Sequence, residues 1–179
     1  RWDRDDASMK AIDKLTVLVT GSTDGIGKRT AFELAEKGAT VLLHGRNASK
    51  GAETLEEIAQ ATGNDRLRYL NADLSSLDEV RRLAGGVDEG LDVLINNAGV
   101  GSGPPGAGRR TSQDGYEMIM AINYLAPFLL THLLLPSLRR AAPSRIVNVA
   151  SIGQSRVDLD DLMIERQYDG WEAYGKSKL

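Results

Sequence analysis

The 179-residue chain contains no cysteine. That removes disulfides, thiolate catalysis and cysteine-based zinc sites together. Histidine is almost as scarce. His44 and His132 are the two present, a thin supply for a histidine metal cluster or a Ser-His-Asp triad, and no metal is expected. No charge excess of either sign stands out. The 22 Lys and Arg against 25 Asp and Glu leave a net charge of −3, so neither nucleic acid nor an anionic membrane is an expected partner. The longest apolar stretch, Leu125 to Leu135, holds Pro127 and His132 and is too short to span a bilayer. Residues 1–8 are charged and lack the apolar core of a signal peptide. There is no internal repeat, low-complexity tract or second domain. These absences leave a cytoplasmic protein as the default, with a single domain large enough to bury a core. Its composition is ordinary, at 41% hydrophobic and 26% charged residues.

What is present centres on Thr16-Val17-Leu18-Val19-Thr20-Gly21-Ser22-Thr23-Asp24-Gly25-Ile26-Gly27-Lys28. The β-branched run reads as a buried parallel strand. The glycines form a turn. Beyond them Ile26, Ala31, Leu34 and Ala35 fall on one side of a helix, and Lys28, Arg29, Glu33 and Lys37 on the other. A helix N-terminus offers unpaired N–H groups and partial positive charge, and glycines let a phosphate approach the backbone. A P-loop does not fit: five residues separate Gly21 from Gly27-Lys28, and Arg29 stands where a hydroxyl is required. The G-x-G-x-x-G fingerprint does not fit literally either. The pattern is T-G-x-x-x-G-I-G, a more open variant. The plain alternative is a tight turn that needs positive φ.

Residues 1–13 read as a polar, frayed leader. After the first helix stops at Lys37-Gly38, Thr40–His44 is a second strand and a helix runs from about Ser49 to Thr62, capped by Asn47 or Ser49. Leu67–Asn71 is a third strand. Asp73-Leu74-Ser75-Ser76 caps a short helix around Leu77–Leu83, and Val93–Asn96 is a fourth strand. Residues 100–113 are loop. A long apolar helix spans about Gly115 to Leu138, with Pro127 tolerated or kinking it. Arg145–Ala150 is a fifth strand, 151–170 a polar loop, and Trp171–Leu179 a further helix. Strands alternating with helices predict an α/β fold with right-handed crossovers and a Rossmann-type, doubly wound parallel sheet. Ligands of such sheets bind beyond the carboxyl ends of the strands. Gly21, Arg46, Asp73, Asn97 and Ser151 all lie at such ends.

Arg46 follows the second strand. An acid there would bond the adenosine ribose of NAD, whereas an arginine would accept the 2′-phosphate of NADP. With Gly45-Arg46 present and no acid before Glu53, NADP is favoured over NAD. The alternative for Arg46 is a solvated turn residue, and for Lys28 a plain helix-surface cation. Tyr174 and Lys178 stand at i and i+4 and would share a helix face. A phenol ionises near pH ~10 and is a poor base at neutral pH. A nearby ammonium favours the phenolate and so equips a tyrosine for proton transfer. Ser151 adds a hydroxyl that could bind the same substrate oxygen. As a hydrolase nucleophile it fails, because the first glycine of the nucleophile elbow is missing and no histidine lies downstream.

Thr20-Gly21-Ser22-Thr23-Asp24-Gly25-Ile26-Gly27, Asn96-Asn97-Ala98-Gly99, Ser151 and Tyr174-x-x-x-Lys178 stand in the order and approximate spacing of the short-chain dehydrogenase/reductase family, which the chain resembles from about Lys14 onward. Gly-Ile-Gly-Lys28, Arg46, Arg145–Val149 and Tyr174-Gly-Lys-Ser-Lys178 resemble its retinol-dehydrogenase-like branch. The resemblance implies one NAD(P)-binding domain over 14–179. Gly21, Ser22, Thr23, Gly25 and Ile26 would line the pyrophosphate and adenosine end, and Asp73 and Leu74 would flank the adenine. Asn97, Ala98 and Gly99 would back the ribose and nicotinamide. Ser151 would orient a carbonyl or alcohol, Tyr174 would be the acid/base, and Lys178 would tune it and hold the ribose. Asn123 would prop a relay water, although by itself it reads as a helix-surface polar residue. Pairing as a homodimer or homotetramer would use the long helix and the Tyr174 helix.

Two departures qualify the match. Ser151 and Tyr174 are 23 positions apart, longer than the family's commonest spacing, and the inserted stretch from Asp158 to Gly170 is expected to wall a substrate site. The sequence also stops one residue past Lys178, so the domain is expected to lack its C-terminal strands and to belong to a longer chain. The sequence-level expectation is an NADP-dependent oxidoreductase acting on a small carbonyl or alcohol. The alternative is a catalytically silent dinucleotide-binding module. An epimerase or dehydratase of the extended relatives fits less well, since those use a different glycine spacing.

Overall fold

Alternation along each short apolar run decides how the layers form. In the computed structural model, which describes residues 10–88 and 90–179, β1 (Thr16–Val19), β2 (Thr40–Gly45), β3 (Leu67–Asn71), β4 (Val93–Asn96) and β5 (Arg145–Asn148) form one all-parallel sheet. Its order is β3-β2-β1-β4-β5. Leu18, Leu42 and Leu94 are aligned across three strands and point to one face. Val17, Val19, Val41 and Leu43 point to the other. Successive strand residues project to opposite faces, so a central strand needs apolar residues at every position.

Each face is covered by helices. Ala31 and Ala35 of α1 (Gly25–Glu36) and Ile58 of α2 (Ala48–Thr62) cover the valine face. Val80 and Leu83 of α3 (Leu77–Gly85) meet Leu130, Leu134 and Leu138 on the other. The helix starts follow capping chemistry: Asn47 accepts from the Lys50 N–H and Ser76 from the Glu79 N–H, while Gly63 closes α2 at φ 68°.

The long helix is not uniform. It comprises α4 (Met118–Met120), a π-helical turn (Ala121–Leu125) and α5 (Ala126–Arg140). It starts later than Gly115 because Gly115 (φ 84°) serves a turn in which the Ser112 N–H donates to the Tyr116 carbonyl and the Met118 N–H to the Arg110 carbonyl. The widened π turn precedes Pro127, whose ring crowds the residue four behind it and which has no N–H for the Asn123 carbonyl. By length and composition Met118–Arg140 is apolar enough to cross a bilayer, with mean hydropathy 1.8, longer than the Leu125–Leu135 stretch read from the sequence; Leu130, Leu134 and Leu138 pack into the core, while Tyr124, Phe128 and Leu133 are exposed.

The amino-terminal boundary also differs from the sequence expectation. Residues 1–9 lie outside the described structure, but Ile12–Lys14 form a 3-10 turn. Lys10 Nζ lies 2.6 Å from Asp92, whose other oxygen accepts the Thr16 N–H at 2.8 Å. Lys10 is thereby tied to the entrance of β1 and β4, while residues 10–14 stay exposed. At the other end of the chain, β5 stops at Asn148 and Ile146 and Val147 are exposed. α6 (Gly170–Ser177) closes the structure, and Lys178 sits at its C-cap.

His44 links the strand ends. It is 2% exposed, its Nδ1 accepts the Gly21 N–H at 3.1 Å, and Nε2 lies 3.2 Å from the Ala72 carbonyl. Nε2 must therefore carry the proton. Burial pulls the imidazole pKa from 6.5 down to about 4, against the opposing pull of the Ala72 carbonyl and the Asp73 charge. The unfolded chain then binds the extra proton first. Stability from this residue is complete above about pH 6.5 and declines as pH falls towards 4, by roughly 3 kcal/mol in total. Urea unfolding of wild type between pH 7 and 4 is expected to show this decline, and a His44→Gln variant a shallower one from a lower start.

Candidate functional site

The sheet's topological switch point lies between β1 and β4, whose chains leave towards opposite faces. Thr20 and Asn97 brace the gap. The Thr20 hydroxyl accepts the N–H groups of Asn97 and Ala98, both at 3.0 Å, and donates to the Ile95 carbonyl. Asn97 Nδ2 donates to the Thr20 and Gly21 carbonyls at 2.8 and 3.2 Å. Gly21 (φ 64°) passes so close to Ala98 that a Cβ there would fall 2.9 Å from the Ala98 Cα. Gly27 is equally confined, by the Gly21 carbonyl and the Asn97 amide.

Gly25 (φ 52°) is different. No atom lies within 4 Å of where its Cβ would project, so the absent side chain leaves open space at the α1 N-terminus. Asp24 caps the Gly25 N–H, and the Ile26 and Gly27 N–H groups lie in the first turn, ahead of any intrahelical acceptor. This is a cradle shaped for a diphosphate. The cleft continues past Thr23, Arg46, Asp73 and Leu74 on one side and Asn97, Ala98 and Gly99 on the other. Arg46 is exposed at its rim. A further cation, Lys50, lies 2.6 Å from Asp24. The residues present therefore fit a dinucleotide.

Ser22 does not face this cleft, contrary to the sequence expectation. It is fully buried, and its hydroxyl is engaged by the His44 backbone: Oγ accepts the His44 N–H at 2.8 Å. It supports the turn from behind. Leu74 belongs partly to the core, and Asp73 Oδ1 accepts the Ser75 N–H at 2.9 Å.

A second cleft adjoins the first, sharing Ile26, Asn97, Gly99 and Val100 with it, and is lined also by Ser151, Trp171, Tyr174 and Lys178. A Cβ on Gly153 would sit 3.5 Å from Ser151 Oγ and 3.6 Å from Tyr174 Cε1. The hydroxyl and the phenol ring thus border one point in space, although their residues are far apart in sequence. Lys178 Nζ donates to the Val149 carbonyl at 3.2 Å and lies 5.9 Å from the Tyr174 ring centroid. An ammonium, a phenol and an alcohol hydroxyl therefore share one cleft beside the dinucleotide cradle.

Asn123, in the π turn, does not lie on the helix surface as an idle polar residue. Its Oδ1 accepts the Val100 N–H at 2.8 Å, and Nδ2 donates to the Val100 carbonyl and to Ser177 Oγ, each at 3.0 Å. It clips the loop after β4 to the C-terminal end of α6. With the side-chain amide so committed, a relay water would need another partner on this residue. Support residues that the sequence reading missed are the Thr20 side chain, His44, Glu117 and Tyr168. A threonine before the first glycine and a histidine ending a buried strand were visible signals. The Glu117–Tyr168 contact spans 51 positions and carries no local signal.

Comparison with known proteins agrees with this geometry. The profile of the short chain dehydrogenase family matches residues 15–159. Retinol dehydrogenase 11 of Homo sapiens is 44% identical over 168 residues, covering 91% of this chain and 52% of the relative. Retinol dehydrogenase 13 of Mus musculus is 42% identical over 178 residues, covering 96% of this chain and 52% of the relative. Among solved structures, the Pseudomonas aeruginosa RhlG/NADP active-site complex is 34% identical with TM-score 0.72, covering 95% of this chain and 65% of that one. The chain thus spans about half the length of these curated relatives. By profile, identity and fold, this chain belongs to the short-chain dehydrogenase family, on its retinol-dehydrogenase-like branch.

Proposed function

We propose that this chain forms the cofactor-binding and proton-transfer part of an NADP-dependent oxidoreductase that interconverts a carbonyl and an alcohol. The observation that carries the reading is the shared cleft in which Ser151, Tyr174 and Lys178 adjoin the glycine cradle. Bound NADP(H) supplies or accepts the hydride. Tyr174 gives a proton to the carbonyl oxygen during reduction, or takes one from the alcohol during oxidation. Ser151 hydrogen-bonds the same oxygen and holds it towards the phenol. The Lys178 ammonium lies on the Tyr174 ring side and stabilises negative charge that develops there. Its bond to the Val149 carbonyl fixes it at the end of β5.

Preference for NADP over NAD rests on Arg46. Arg46 lines the cleft just past the end of β2, and the nearby Lys50 is paired with Asp24, which leaves Arg46, among the described residues, as the cation open to a ligand on that side. A guanidinium binds phosphate through paired, charge-assisted hydrogen bonds. The NADP complex of RhlG, a structural relative, supports the same preference.

In Tyr174→Phe, NADPH binding is expected to persist while turnover of a panel of aldehydes and ketones falls roughly 10²–10⁴-fold, the range of a lost acid/base. Following nicotinamide absorbance checks this, and unchanged turnover would sink the mechanism. Removing the guanidinium in Arg46→Ala is expected to weaken NADPH binding about tenfold or more while leaving NADH nearly unaffected. Titrations of both cofactors against wild type and variant measure it, and equal losses for the two would remove Arg46 from the specificity argument.

A further inference from the structure

Among the described residues, Glu117 is the most deeply buried carboxylate that the proposed mechanism leaves unused. It is fully buried, a costly placement for a charge unless its oxygens are satisfied. Both are. Oε2 accepts the Met120 N–H at 2.7 Å and Oε1 accepts the Tyr168 hydroxyl at 3.1 Å. Tyr168 is held in its protonated, donating form, its pKa pushed up to about 12 by burial and then by the Glu117 charge. Tyr168 immediately precedes Asp169, the N-cap of α6, which accepts the Glu172 N–H at 2.8 Å.

The rest of the inserted segment is tied down next to this bond. Arg109 Nε donates to the Met163 carbonyl at 2.9 Å. Ile164, a β-branched residue at φ 50°, is buried against Ile119 and Ala173. A branched side chain in left-handed backbone is costly and persists only where the surroundings over-determine it. At the far end of α6, Ser177 is held by Asn123. Glu117 and Asn123 lie on one helical column, so that column grips α6 at both ends, with Tyr174 between the grips.

We propose that Glu117 and Tyr168 are a positioning pair for the reaction: their hydrogen bond fixes the start of α6 and thereby sets the reach of Tyr174 towards substrate oxygen. This rests on the acid/base reading of Tyr174 given above. Neither residue lines the cleft that holds Ser151, Tyr174 and Lys178. The pair acts at the start of α6, whereas Lys178, past its far end, is held separately by the Val149 carbonyl beside the glycine cradle.

Tyr168→Phe tests it, because the variant removes one oxygen and keeps the ring packed. NADPH Kd is expected to stay within about twofold of wild type, while kcat/KM for a carbonyl substrate falls about tenfold, the equivalent of one hydrogen bond. With Tyr168 intact, Glu117→Gln is expected to retain most of the rate, since its amide oxygen can still cap Met120 and its NH2 donate to the Tyr168 oxygen, whereas Glu117→Leu is not. Hydrogen exchange of the α6 amides is expected to accelerate in Tyr168→Phe without change in β1 or β4. Wild-type kcat/KM in Tyr168→Phe, a parallel loss of NADPH affinity, or unchanged α6 exchange each overturns the proposal. If the wild-type chain turns over no carbonyl, the oxidoreductase reading fails, and the exchange measurement alone decides whether the pair positions α6.

Discussion

Two neighbouring parallel strands that send their chains to opposite faces must part at their carboxyl ends, and the gap they leave is both the binding site and a weak point. Here the gap between β1 and β4 is braced by Thr20 and Asn97. One hydroxyl oxygen accepts two backbone N–H groups and one amide nitrogen serves two carbonyls. Everything downstream depends on that brace. It holds Gly21 against Ala98 closely enough that only glycine fits, which in turn aims the α1 N-terminus into the cleft. His44 then ties the Gly21 N–H to the Ala72 carbonyl, so the turn is referenced to β3 as well. The cradle owes its shape to backbone groups held by buried side chains, which leaves its surface free for a ligand.

The Tyr174 side is built on a different principle. Its groups ride on α6, an eight-residue helix that would be marginal alone. It gains order from attachment: Asn123 at one end, Tyr168 and Glu117 at the other, and a close approach of Gly175 to Ser155 in between. The π turn belongs to this arrangement, because it contains Asn123 and absorbs Pro127 in the same stretch of helix. Rigid sheet ends hold the cradle, and a tethered helix brings the phenol to it. The two halves meet at Asn97, Gly99 and Val100, which line both clefts.

Much of this was legible in the residues. The β-branched runs, the glycine turn and the caps Asn47 and Ser76 announced the parallel sheet, its helices and the cleft at the strand ends. Ser22 was misplaced because a motif assigns a residue to a loop without saying which way it faces. Its hydroxyl turned inward to meet the His44 backbone that the pairing of β1 with β2 had brought alongside. Gly115 sat inside an apolar helical pattern, yet a turn that required positive φ took it first.

By itself the sequence determined the order of strands and helices, the opening of the glycine cradle and the chemical identity of Arg46, Ser151, Tyr174 and Lys178. Those properties depend on local pattern and side-chain type, which a linear reading contains. Only the tertiary structure decided that Ser151 Oγ and the Tyr174 ring border the same point, that Asn123 spends its amide on Val100 and Ser177, and that a buried carboxylate 51 positions away grips Tyr168. Each of these is a contact between segments distant in the chain. Such contacts are set by how the layers pack, and no local periodicity encodes them.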